Sequence, residues 1–340
     1  MLFRPTLAGS LPKPAWLAEP EKLWPKWRLE GAELDQGKRD AALIWIKEQE
    51  DAGIEIVTDG EQFRTHFVHG FLEHVGGIDW NLKTKMGIRN NRYTVEVPTV
   101  TGSLSRKRPV HKDEAAFCRA HTTRGLKFTL PGPMTICDTI ADGHYGRRAD
   151  MAMAFADILN EEALELEAAG CDTIQFDEPA FNVFMDEVRD WGIEALNRAA
   201  RGLKCTTAVH ICYGYGIEAN IKWKETLGSE WRQYEAIFPA INGSDIQQVS
   251  LECANSRVPI SLIGLLPDKD LLIGAIDVAS TRVETAEDVA ATIREAMKYA
   301  PKERIFPCTN CGLAPLPRDI ASAKLRALGA GAALMRAEAG

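Results

Sequence analysis

Eight short apolar runs, each followed by a longer polar and amphipathic stretch, confine this 340-residue chain to a small set of folds. The runs are TLAGSL (6–11), IEIVTDGE (54–61), KFTLPGPMT (127–135), DTIQFDEPAF (172–181), TTAVHICYG (206–214), QQVSLECAN (247–255), LLIGAIDV (271–278) and RIFPCTNCG (304–312). Between them lie segments such as MAMAFADILNEEALELEAAG and TAEDVAATIREAMKYA, whose apolar residues recur at three- and four-residue spacing, the second opening on an acidic turn. Strands that alternate with helices pair in parallel, and eight such units predict a closed (β/α)8 TIM barrel. An open doubly wound sheet is the alternative, but no glycine-rich dinucleotide fingerprint follows the first strand. The length suffices for one barrel over residues 1–340.

One segment breaks the rhythm. Residues 62–126 exceed an ordinary βα connection; RYTVEVPTVTG alternates like a strand and IRNNRYT supplies turn residues. They read as an inserted hairpin and helix over the barrel mouth, serving as a lid or a contact in a homodimer. Upstream, AELDQGKRDAALIWIKEQEDAG reads as a helix.

Forty basic against 48 acidic residues, a formal charge of −8, give no electrostatic reason to expect a nucleic-acid partner. No apolar stretch approaches the roughly 20 residues that span a bilayer, and MLFRPTLAGSLPKP lacks the apolar core of a secretory signal. The expected location is the cytoplasm, without a membrane partner. Eight irregularly spaced cysteines fit reduced thiols, so a cysteine pair is read as metal ligands before a crosslink.

Chemistry-bearing residues collect at one end of the proposed strands. Ser10 closes the first, Asp59 and Glu61 the second, Asp177 and Glu178 the fourth, His210 and Cys212 the fifth, Glu252 the sixth, Asp277 the seventh, and Cys308 with Cys311 the eighth. In a (β/α)8 barrel these ends form the active-site rim. Singly each has a plain explanation as a helix cap, a turn residue or a buried thiol; together they point to metal-assisted chemistry. His210 and Cys212, at i and i+2 of a strand, project from the same face. Imidazole and thiolate donors suit Zn2+ better than the oxygen-seeking Mg2+ or Ca2+. Glu252 and either Cys308 or Cys311 complete the candidate ligand set; periodicity does not choose between the two cysteines.

The motifs AGSLPKP, TDGEQFR, PGPMT, IQFDEPAF, HICYG, SLECANS, GAIDV and NCG stand in the order found in the catalytic barrel of the cobalamin-independent methionine synthase family, which this chain resembles over nearly its whole length. The resemblance implies the (β/α)8 fold and a methyltransferase that moves a methyl group to L-homocysteine, held as a zinc-bound thiolate, to make L-methionine. It implies His210, Cys212, Glu252 and Cys311 as zinc ligands, the last because NCG matches the family's DCG. Ser10 is implied to hold the homocysteine carboxylate, and Glu61 and Asp177 its ammonium group.

Departures from the family pattern bear on the methyl donor. The family's second, folate-associated barrel has no counterpart, Ala279 stands where a proton-donating histidine follows GAIDV, and PGPMTICDTIADGHYG lacks the pterin-associated tryptophan. The chain resembles the short single-barrel methionine synthases, which do not use methylfolate directly and take their methyl group with help from a companion protein. His144, beside Tyr145 in DGHYG, is the substitute proton donor on this reading. The same residues fit two other functions: zinc-thiolate chemistry on another donor or acceptor, such as thiol addition to an epoxide or demethylation, and a noncatalytic barrel with structural zinc.

Overall fold

The computed structural model describes residues 1–215 and 218–340. In chain order its strands are β1 (Ile56–Thr58), β2 (Val75–Ile88), β3 (Tyr93–Arg106), β4 (Gly125–Pro131), β5 (Ala141–Asp142), β6 (Thr173–Asp177), β7 (Thr206–Ile211), β8 (Gln248–Glu252), β9 (Asp270–Ile276) and β10 (Ile305–Thr309). Seven pair in the order β1-β4-β6-β7-β8-β9-β10, every pair parallel. Long helices, among them Gly31–Asp51, Arg148–Ala168 and Arg318–Ala339, stand between or beside these strands. This is the expected α/β TIM-barrel-like architecture.

The first expected strand is smaller than its sequence pattern suggests. Thr6 alone bridges Ile56 in parallel, and its amide donates to the Pro307 carbonyl at 2.9 Å, so residues 6–8 close the ring between β1 and β10. Pro5 and Pro12 lack amide protons, the Ala8 amide turns to Thr309 Oγ1 at 3.0 Å, and Leu11 bonds Gly60 in the next loop. A full backbone ladder therefore does not form.

Inside the ring, polar groups satisfy one another. The fully buried Lys127 ammonium donates to the Leu7 carbonyl and to Gln175 Oε1, and the Gln175 amide donates to Asp177 Oδ1 at 2.8 Å. This chain of bonds runs up the interior and fixes Asp177 at the rim, as buried polar groups require partners. Register levels the strand ends: Asp177 pairs with His210, His210 with Ser250, and Glu252 with Gly274.

Residues 62–126 contain the expected hairpin, β2 with β3, and the helix Lys112–Ala120. One element was not foreseen: β5, drawn from the DGHYG region, pairs with β3 through Thr99↔Ala141 and Val100↔Asp142 and makes a second, three-stranded sheet. Two residues carry too little periodicity to be read as a strand.

Two buried devices hold the rim loops. After β1, Arg64 Nη2 lies 3.3 Å from both Asp59 carboxylate oxygens while its Nη1 donates to the Thr129 carbonyl at 2.8 Å. After β10, Asn310 Oδ1 accepts from the Cys253 and Ala254 amides, and Gly274 must lack a side chain because a Cβ there would lie 2.3 Å from that oxygen. Gly274→Ala is therefore expected to destabilise the protein by about 1–3 kcal/mol in chemical denaturation, the range for overpacking a filled interior. Arg64→Leu strands the buried Asp59 carboxylate and is expected to lower stability by about 3–5 kcal/mol in the same measurement.

Candidate active site

His210 stands one residue before the end of β7, Cys212 just beyond that end, and Cys311 two residues past β10. One potential ligand atom from each lies within 4.8 Å of the other two. The two sulfurs approach to 3.5 Å, and both cysteines are free thiols. His210 Nδ1 meets Ser250 Oγ at 2.8 Å, which orients the ring. Its Nε2 is buried and has no hydrogen-bond partner among the described residues. An orphaned imidazole nitrogen beside two thiols is a donor set that fits zinc, and three protein donors leave the fourth position that catalytic zinc sites keep open.

Cys308, the alternative to Cys311, is not in this group. It is fully buried inside the barrel with Ala208 and Leu272, and burial pushes its thiol above the usual range. Cys311 escapes because it lies beyond the strand, where the chain turns over the rim. The contact with the Cys311 thiol, reinforced by His210, holds Cys212 well below the usual thiol range, while the same contact and burial push Cys311 up.

Glu252 is not brought into the three-residue group. It is fully buried, and its carboxylate accepts from the Tyr213 amide at 2.6 Å and from the Tyr215 hydroxyl. Burial pushes its carboxyl upward from the ordinary range. Spacing alone could not reveal this, since the tyrosines that bond the carboxylate, Tyr213 and Tyr215, lie in the segment that follows the neighbouring strand β7.

Ser10, Glu61, Asp177, His210, Cys212 and Cys311 all line one cleft at the C-terminal ends of the strands. Glu61 sits in a left-handed backbone conformation, φ +57°, with its amide donating to Asp59 Oδ1 and its Oε1 accepting from Thr129 Oγ1 at 3.2 Å. Asp177 is pushed up to about 7 by burial, against the pull of nearby His210. Two carboxylates thus face the cleft on the β1–β6 side of the thiols. Gly312 admits Ser10: a Cβ at Gly312 would fall 2.0 Å from Ser10 Oγ.

His144 is elsewhere. It is exposed after β5, its amide donates to Asp142 Oδ1, its ring nitrogen lies 3.5 Å from Ser103 Oγ, and it does not line the cleft. Pairing of β5 with β3 turns the DGHYG loop toward the hairpin body and away from the barrel axis, which removes the basis for His144 as proton donor.

Other parts of the lining were not foreseen from the sequence. Lys13, Trp24, His66, Arg89, Arg92 and Tyr93 also line the cleft, Arg89 and Arg92 from the β2–β3 turn and Tyr93 from the start of β3. The turn signal in IRNNRYT was visible, but its side-chain partner Asp138 lies 49 residues from Arg89.

The family model of the cobalamin-independent synthase catalytic domain matches residues 3–333. A methionine synthase of Saccharolobus solfataricus is 30% identical over 341 residues, covering 99% of this chain and 96% of its own length. A methionine synthase of Sulfolobus acidocaldarius is 29% identical, covering 98% and 92%. Among solved structures, a B12-independent methionine synthase from a Shewanella species, in complex with selenomethionine, is 55% identical and superposes with a TM-score of 0.97 over 100% of this chain and 99% of that one. A Listeria monocytogenes protein at 20% identity, with a TM-score of 0.72 over 98% of both chains, shares the fold. By motif order, architecture and these matches, the chain belongs to the cobalamin-independent methionine synthase catalytic-domain family.

Proposed function

We propose that this protein methylates the thiol of L-homocysteine to give L-methionine, using a zinc ion held by His210, Cys212 and Cys311. The observation that carries the reading is the convergence of these three donors, one of them an orphaned buried nitrogen, in a cleft whose other wall presents Glu61 and Asp177. Selenomethionine, described in the Shewanella protein, is methionine with selenium in place of sulfur, and so is shaped like the product of this reaction.

Substrate orientation follows from charge. Glu61 and Asp177 hold the amino acid's ammonium group, and Ser10 with its backbone neighbours holds the carboxylate. An arriving ammonium favours the ionised form of Asp177, which burial alone disfavours, so binding and ionisation reinforce each other. His210, Cys212 and Cys311 would hold a zinc ion, which would supply the Lewis acidity that keeps a neighbouring thiol deprotonated at neutral pH, its proton passing to solvent. A sulfur lone pair then forms the new carbon–sulfur bond while the donor's bond to the methyl group breaks, its electron pair staying with the leaving group.

Glu252, whose two carboxylate oxygens each accept one hydrogen bond, from the Tyr213 amide and the Tyr215 hydroxyl, retains lone pairs with which it would serve as a fourth donor. Ser250 is a positioning residue: its hydroxyl holds the imidazole so that Nε2 faces the thiols. Ala279, three residues past β9, stands where the family's proton-donating histidine is expected, and His144 lies outside the cleft, which fits methyl supply through a companion protein.

Zinc analysis of purified protein is expected to find about one ion per chain, with Cys212→Ser and Cys311→Ser losing it and Cys308→Ala retaining it. Ser250→Ala is expected to weaken zinc by about 10–100-fold in competition with a chelator. Wild type should restore growth to a methionine auxotroph and Cys311→Ser should not. Normal growth with Cys311→Ser would overturn the metal assignment; zinc retention without any methionine formation would leave a binding barrel instead of an enzyme. Methionine formed from methylfolate by the purified chain alone would overturn companion-dependent supply.

A further inference from the structure

The β2–β3 turn is a strained element pinned in place. Arg89, Asn90 and Asn91 have φ of +52°, +56° and +62°, three consecutive left-handed residues none of which is glycine. Asparagine tolerates this conformation and arginine does not, so the surrounding structure must enforce it. Asp138, buried just after the helix Pro133–Cys137, does so: its carboxylate accepts from the Arg89 amide at 3.1 Å and forms an ion pair with the Arg89 guanidinium. Gly87 leaves the space the turn folds into, since a Cβ there would lie 1.8 Å from Asn91 Oδ1.

The strain places Arg92. Its guanidinium carbon lies 3.1 Å from the centre of the Trp223 ring, and its Nη1 reaches Asn220 Oδ1 at 3.4 Å. Unlike Arg89, it pairs with no carboxylate among the described residues, although it is half-buried and lines the cleft. A half-buried cation without an anion is unfavourable unless something else supplies one. Tyr93 and Trp24 add flat apolar surface to the lining, while the Lys13 ammonium is held at the other end by the Glu61 carbonyl at 3.0 Å. Floor and wall are thus opposite in sign: carboxylates at the amino-acid end, an unneutralised guanidinium at the outer end.

We propose that Arg92 is the anchor for an oxyanion, carboxylate or phosphate, on the molecule that carries the methyl group into the cleft, and that Asp138 is the positioning residue that holds the turn for it. The donor is then an acid whose methyl-bearing part is uncharged, and a sulfonium or other onium donor is disfavoured by the same charge. This rests on the reading of the floor as the homocysteine site, because it gives the outer wall to the second substrate. A bidentate guanidinium stacked on an aromatic ring is suited to fork-like recognition of an oxyanion.

Titration calorimetry of the zinc-loaded protein at low salt, with benzoate and inorganic phosphate as separate probes and trimethylsulfonium as the cationic control, tests the proposal. One of the two acids is expected to bind wild type, to bind at least tenfold more weakly to Arg92→Gln and to Asp138→Asn, and trimethylsulfonium is expected not to bind. Stronger benzoate binding assigns a carboxylate, stronger phosphate binding a phosphate. No binding of either acid, equal affinity in Arg92→Gln, or tighter binding of the sulfonium would overturn the anchor; wild-type affinity in Asp138→Asn would overturn the positioning role. Homocysteine titrated into the same samples is expected to bind wild type and Arg92→Gln alike. Loss of homocysteine binding in wild type would instead sink the floor assignment, so the two failures are distinguishable.

Discussion

The approach of Cys212 to Cys311, 3.5 Å between sulfurs that lie 99 residues apart, is the contact on which the rest of this structure depends. It exists only because the sheet closes. β7 and β10 are separated by β8 and β9, and the sulfurs meet because each lies just past its strand end, where curvature brings the ends toward one axis. Closure in turn rests on residues 6–8, which bridge β1 and β10 with few bonds. The loop following β10 is held by the Asn310 latch. A change that shifts this loop therefore moves Cys311 relative to Cys212.

The cleft shows an ordering of charge that a purely structural metal site would not need. The carboxylates of Glu61 and Asp177 are kept at the rim by a left-handed turn, a buried Asp59–Arg64 pair and the Gln175 amide. Residues from the inserted hairpin face them with positive charge. Backbone strain at Arg89 and burial of the Asp177 carboxyl are both unfavourable in themselves, and such features gather where a ligand is received.

Much of this was legible in the sequence because the governing periods are short. Alternation of strand and helix gave the barrel, i and i+2 spacing put His210 and Cys212 together, and a turn signal between alternating residues marked the hairpin. What escaped depends on partners distant in the chain. Nothing local tells that Glu252 is taken by Tyr213 and Tyr215, that Asp138 holds Arg89, or that Arg92 reaches Asn220, 128 residues away. Cys308 and Cys311 differ only in whether the strand has ended, a boundary that periodicity does not fix. His144 looked chemically apt, but the two-residue strand β5 directs its loop away from the cleft.

The central claim is that the cluster of His210, Cys212 and Cys311 holds zinc where a substrate thiol can reach it. Zinc-edge X-ray absorption on the purified protein, recorded with and without L-homocysteine, measures this directly. The account predicts a nitrogen and two sulfurs from the protein in the absence of substrate, and one additional sulfur in the zinc coordination shell once homocysteine is added. An unchanged sulfur count on saturation with homocysteine would contradict it.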